Sequence, residues 1–320
     1  MRWENPLLCD KVYLSKCHLV NLQGCFIMDG LRISNPEAIV SGDWLERHLE
    51  DTNIRIYDCS TQLVFEEGGD RPYRVVDGLE QHKKGHIPGA GYLRLQADFS
   101  EENSPFGMTL SSPERVGEAF AQNGVSDETR VVLYSRGSLS WATRFWWMLR
   151  WLGFDNVAVL DGGFDKWTGD GRQISTEPCW YPTGKLTVRL RPELFVGKQE
   201  VLDGIEDPGT CLVNALGTDV FSGENPRYGR PGRIPGSVNI PQVSLFDPQT
   251  LEFLPADTIA NIFSSTGADR ADKHITYCGG GIFATVNAFW LHQLGHKNIA
   301  VYENSMSEWG PDESLPIERD

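Results

Sequence analysis

The residues best able to do chemistry form one run, Tyr277-Cys278-Gly279-Gly280-Gly281-Ile282-Phe283-Ala284-Thr285. A cysteine ends an apolar, strand-like stretch, three glycines follow, and a helix-forming stretch begins. Consecutive glycines let the backbone curl tightly, with several N–H groups turned toward one point. The helix start behind them adds its own free N–H groups and partial positive charge. A sulfur in that cradle is favoured as thiolate, the nucleophilic form. The same amides would also hold a sulfur-centred or substrate anion, so the site needs no general base. The alternative is a packing cysteine beside a tight turn, the usual role of a lone buried cysteine. The three glycines, the strand–loop–helix setting and an internal repeat favour the chemical reading.

The repeat also says which elements position the loop. Gly85-His86-Ile87-Pro88-Gly89-Ala90 answers Gly232-Arg233-Ile234-Pro235-Gly236-Ser237. Val131-Val132-Leu133-Tyr134-Ser135 answers His274-Ile275-Thr276-Tyr277-Cys278, and the Leu152-to-Leu160 segment answers Leu294 to Tyr302. The segments recur in the same order at a domain-sized period, so the chain is read as a duplicated domain. Short apolar runs at 54–58, 131–134 and 157–160, and again at 211–215, 275–277 and 299–302, are predicted strands. Helices are predicted over 141–152 and 285–294. Such alternation predicts an α/β fold with two domains, each a parallel sheet carrying helices on both faces. Ligands of such sheets bind where loops leave the carboxyl ends of the strands. The Gly-, Pro- and polar-rich stretch 168–185 is the natural connector. The resulting division is an extension at 1–30, a domain at 31–175, a linker at 176–190 and a domain at 191–320.

Composition narrows the function classes. The 320 residues suit two domains better than one core. A formal charge of −15 argues against nucleic acid as a partner, since phosphate binding needs clustered Lys and Arg. No apolar stretch approaches a bilayer span. The first thirty residues lack the basic start and apolar run of a secretory signal, which makes the cytoplasm the expected compartment. The seven cysteines are scattered with no C-x-x-C pair, so neither a disulfide framework nor a metal site is expected. Cys9, Cys17 and Cys25 are evenly spaced, with His18 beside Cys17, but an eight-residue spacing is not that of a metal motif and no metal is expected there.

The tandem layout, the two G-[HR]-I-P-G-[AS] segments and the Cys278 loop together resemble the two-domain rhodanese family of sulfurtransferases. Trp146-Trp147-Met148-Leu149 and Val159-Leu160-Asp161-Gly162-Gly163-Phe164-Asp165-Lys166-Trp167 carry the same resemblance, which runs from about Ile39 to Pro316. It implies a site in the cleft between two rhodanese-like domains, with only the C-terminal copy catalytic. Ser135 stands where Cys278 does, and Arg136-Gly137-Ser138-Leu139-Ser140 replaces the glycine run. A serine without a base is a poor nucleophile, so the first domain is expected to be inactive.

The resemblance further implies a cofactor-free double displacement. Cys278 takes the sulfane sulfur of thiosulfate or 3-mercaptopyruvate, holds it as a persulfide, and passes it to cyanide or a thiol. Gly279, Gly280, Gly281, Ile282, Phe283, Ala284 and Thr285 form the anion-binding loop. Thiosulfate-type members tend to carry basic residues after the cysteine, and mercaptopyruvate-type members C-G-S-G-[VI]-T; this loop follows neither. Family members also often place a substrate-binding Arg shortly after the strand that ends near Asn214, whereas this chain has Val220-Phe221-Ser222 there. Arg227, Arg230 and Arg233 are the candidates for that charge, against a reading of them as surface or ion-pairing residues. A phosphatase on the same fold would need C-x5-R to clamp phosphate, and this loop holds no arginine. A non-enzymatic interaction module, or a carrier that hands persulfide to a protein partner, is the rival from another class. Asp58 and Asp161 are expected to serve turns, His86 a structural hydrogen bond, and Trp146, Trp147 and Trp290 packing. Cys59 and Cys211 are expected in the core, with Asn304 and Ser305 bordering the site.

Overall fold

The computed structural model describes residues 31, 33–65 and 73–320. The extension at 1–30, with Cys9, Cys17 and Cys25, lies outside the described residues. The first half contributes β1 (Ile39–Val40), β2 (Ile54–Asp58), β3 (Thr61–Phe65), β4 (Tyr73–Asp77), β5 (Ala90–Tyr92), β6 (Arg130–Tyr134) and β7 (Val157–Leu160). The second contributes β8 (Phe195–Val196), β9 (Thr210–Asn214), β10 (Val238–Asn239), β11 (Lys273–Tyr277) and β12 (Ile299–Tyr302).

Two five-stranded sheets result, ordered β1-β7-β6-β2-β5 and β8-β12-β11-β9-β10. Each position in one order has its counterpart in the other, and all neighbours are parallel. The strands of such sheets are covered on both faces, so they read as unbroken apolar runs. β7 and β12 are buried at all four positions. The antiparallel hairpin β3–β4, which pairs Thr61 with Asp77 and Phe65 with Tyr73, is an addition that strand–helix alternation does not predict.

The helices after the two central strands span Ser140–Trp151 and Ala284–Gln293, one residue earlier than the sequence suggests. They face each other between the sheets. Trp146 meets the Phe289 ring edge-on at 4.7 Å, and the Thr143 and Thr285 hydroxyls stand 2.8 Å apart. One cluster of buried side chains therefore runs from the first sheet into the second, and a smaller one covers the far face of the first sheet.

The connector starts later than 168, because the helix Gly163–Gly169 takes up Thr168. From there the chain runs as a strap along the first half. Gly184 N–H donates to the Ala121 carbonyl at 2.7 Å, Asp127 N–H to Lys185 at 3.1 Å, and Arg189 N–H to Leu152 at 2.8 Å. The expected 176–190 linker is thus tied to one body along its length. No helix among the described residues is long and apolar enough to cross a membrane.

Candidate functional site

Cys278 follows the last residue of β11, the central strand of the second sheet, at its carboxyl end. Its side chain is almost fully buried. Its N–H donates to Ser305 Oγ at 3.0 Å, while its carbonyl accepts from Met306 N–H at 3.1 Å. The Gly279 carbonyl accepts from Ser307 N–H at 2.8 Å. The turn after β12 therefore grips the cysteine from behind, and Ser305 takes a left-handed backbone, φ +50°, to do so.

The amides that follow are differently placed. The N–H groups of Gly279, Gly280, Gly281, Ile282 and Phe283 meet no acceptor among the described residues. Ala284 opens the helix, where an N–H has no intrahelical partner. Thr285 departs from the expectation of a loop donor: its N–H is taken by the Ile282 carbonyl at 3.0 Å, and its hydroxyl by the same oxygen at 2.6 Å. The equivalent loop of the first half is filled by the protein's own side chains. There Arg136 N–H donates to Ser60 Oγ at 3.1 Å, Gly137 N–H to Asp165 Oδ2 at 2.7 Å, and Ser135 Oγ to the Ser138 carbonyl at 2.6 Å. A run of free donors behind a sulfur can hold an anion; a run already bonded to Ser60 and Asp165 has little left to offer.

Gly281 is at φ +71°, and a Cβ there would overlap the Glu303 carbonyl oxygen, so no other residue fits without strain. Its carbonyl accepts from Arg144 Nη1 at 3.1 Å. Arg144, fully buried on the first-half helix, also forks onto Glu303 at 2.6 and 3.0 Å. Glu303 Oε1 accepts Leu110 N–H at 2.6 Å as well. Sequence reasoning missed this pair. Its signal was a lone arginine inside Trp141-Ala142-Thr143-Arg144-Phe145-Trp146-Trp147, and an acidic residue at 303 answering Asp161 in the repeat.

Of the three candidate arginines, two are engaged with the C-terminal segment of the chain itself. Arg230 donates to the Gly310, Leu315, Trp309 and Asp312 carbonyls at 2.5–3.1 Å, pinning the C-terminal segment. Arg233 pairs with Asp320 at 2.8 Å and with Glu318, and lies over the Phe221 ring. Arg227 is exposed, and its charge opposes the burial that raises the phenol of Tyr228, whose oxygen lies against Gly279, the residue after Cys278.

Other polar residues serve the frame. Asp58 is fully buried, accepts Ser60 N–H at 2.9 Å and stands 3.2 Å from His82 Nδ1. His86 places its ring nitrogens 2.8 Å from the His82 carbonyl and 3.0 Å from that of Glu177, beside the strap. Asp161 goes beyond a turn: it accepts Phe253 N–H at 2.8 Å from the second half, and burial pushes its carboxyl up to about 7. Asn304 accepts from the Thr109 hydroxyl at 2.9 Å, again across the two halves. Burial pushes the Cys59 thiol well up and the Cys211 thiol up to about 11, which suits packing residues and not nucleophiles. Trp146, Trp147 and Trp290 are buried. No group of His, Cys, Asp and Glu among the described residues could hold a metal.

Residues 41–170 and 199–312 match the family model of the rhodanese-like domain. The chain is 31% identical over 282 residues to the 3-mercaptopyruvate sulfurtransferase of Escherichia coli K12, covering 87% of this chain and 97% of that one. It is 28% identical to a rat (Rattus norvegicus) thiosulfate sulfurtransferase, with 85% and 91% covered. The crystal structure of an Escherichia coli 3-mercaptopyruvate sulfotransferase superposes with a TM-score of 0.73 at 29% identity, covering 84% of this chain and 98% of the other.

Proposed function

The chain belongs to the rhodanese-like family and is a sulfurtransferase, and from that premise we propose that Cys278 carries the sulfur between donor and acceptor. The Cys278 thiolate attacks the outer sulfur of thiosulfate or the sulfur of 3-mercaptopyruvate. Sulfite or pyruvate leaves, and a persulfide remains on Cys278. Cyanide or a thiol then removes the outer sulfur and restores the thiolate, so the kinetics are ping-pong. Both donors are anions. Arg227 is the cation that meets them, because it directly precedes Tyr228, whose phenol oxygen lies against the Cys278 loop at Gly279.

The observation that carries this reading is the row of amides from Gly279 to Phe283, directly after Cys278, that meet no acceptor among the described residues. Preorganised N–H donors stabilise a developing anion without reorganising as it forms. The first-half loop, with Ser135 in place of the cysteine and its amides already bonded, contributes no chemistry and serves to close the cleft.

The test is sulfur loading followed by intact mass, in wild type and Cys278→Ser, with thiosulfate and 3-mercaptopyruvate as donors and cyanide as acceptor. The expected result is a gain of one sulfur with turnover, both absent in Cys278→Ser. Turnover that survives in Cys278→Ser would move the sulfur site elsewhere and overturn the assignment.

A further inference from the structure

Two tyrosines close over the Cys278 loop. Tyr228 precedes β10 in the second half, while Tyr73 opens β4 of the first-half hairpin; both are buried. The glycines report how near they lie. A Cβ on Gly279 would overlap the Tyr228 phenol oxygen, and one on Gly280 would stand 2.8 Å from that of Tyr73. Position 280 is glycine where the mercaptopyruvate-type pattern has serine, so the hydroxyls over this part of the loop come from the two tyrosines and, farther off at 3.9 Å from a Cβ on Gly280, from Ser307. Burial above all, then Tyr73 and Cys278, keep the Tyr228 phenol protonated well beyond its ordinary range, with Arg227 opposing. A protonated O–H is thus held beside the reacting sulfur.

The two donors differ in their need for one. Thiosulfate releases sulfite, a stable anion that leaves without a proton. 3-Mercaptopyruvate must break a C–S bond, and the electron pair goes to carbon as the enolate of pyruvate, which has to be protonated before it leaves as a methyl ketone. We propose that Tyr228 is the catalytic acid that protonates this enolate when 3-mercaptopyruvate loads Cys278; the inference rests on the sulfurtransferase reading above. The thiolate forms the S–S bond as the C–S bond breaks, so the two sulfurs are oxidised to the disulfide level and the substrate carbon is reduced. Tyr228 gives its proton to that carbon. The phenolate then takes the proton from the outer S–H of the new persulfide, leaving the persulfide anion in the amide cradle. One thiolate and one thiol become one persulfide anion and one pyruvate, and Tyr228 ends as it began.

The experiment compares single-turnover loading of Cys278 from each donor in the full chain, read by intact mass. In Tyr228→Phe, the ratio of mercaptopyruvate to thiosulfate loading rates should fall about 10²-fold, the usual scale of a lost general acid. Tyr73→Phe, which leaves Tyr228 in place, should keep the ratio near that of wild type. Should Tyr228→Phe not fold, the wild-type solvent deuterium effect decides: slowed loading from 3-mercaptopyruvate but not from thiosulfate is the expected result. An unchanged ratio in Tyr228→Phe makes the phenol a packing group and overturns the proposal. So does wild-type loading from thiosulfate alone. Loading from neither donor instead removes the sulfurtransferase reading beneath it.

Discussion

Removing either partner of the Arg144–Glu303 pair tests whether the first half acts on the loop or merely covers it. The fork is short at 2.6 and 3.0 Å, Arg144 is wholly buried and Glu303 nearly so. Arg144→Met leaves the Glu303 carboxylate with one described donor, Leu110 N–H, and frees the Gly281 carbonyl. Glu303→Met leaves a buried guanidinium facing only the Gly281 and Met108 carbonyls and the Phe195 ring. Orphaning one charge of a buried pair costs about 3–5 kcal/mol, a loss that a domain of ordinary stability survives. The double variant carries no orphan charge, so it should be more stable than either single one. Loading of Cys278 should separate from stability. With Gly281 unheld, the amides shift relative to the sulfur, and misplacement of about 1 Å costs on the order of 10²-fold in rate. Urea unfolding and intact-mass loading on the four proteins measure both quantities. A double variant that loads sulfur at the wild-type rate would refute the reasoning, as would single variants losing under about 1 kcal/mol.

Arg227→Gln should lower loading efficiency about tenfold for both anionic donors with little change in melting temperature, since it removes the proposed charge-assisted contact to the donor from an exposed position. Arg230→Met should do the reverse, costing about 1–3 kcal/mol in urea through four backbone carbonyls while leaving the donor KM unchanged. Asp161 carries a pH signature: its carboxyl rises from 3.8 to about 7 in the fold, so the folded state binds the proton more tightly. Its contribution to stability is therefore greatest below about pH 4 and declines as pH rises toward 7. Asp161→Asn keeps an acceptor for Phe253 N–H without the buried charge, so its urea midpoint should exceed that of wild type at pH 8 and match it at pH 4.

What the sequence determined by itself was whatever short-range patterning encodes. Apolar runs of strand length, the recurrence of Gly-x-Ile-Pro-Gly, and Cys278 ahead of three glycines pointed to the paired α/β sheets, their central strands and the proposed nucleophile. Those features depend on neighbours a few residues apart. What only the tertiary structure decided depends on residues far apart in the chain. Arg227, Arg230 and Arg233 are alike as sequence, and the roles of Arg230 and Arg233 emerge only because the C-terminal segment folds back to present carbonyls and carboxylates to them. The β3–β4 hairpin brings Tyr73 to a loop some two hundred residues later, and Arg144 reaches Glu303 and Gly281 across the two halves. Whether the loop amides stand free was equally hidden. That depends on which side chains arrive to bond them: Ser60 and Asp165 do so at the first-half loop, and no described residue does at Cys278.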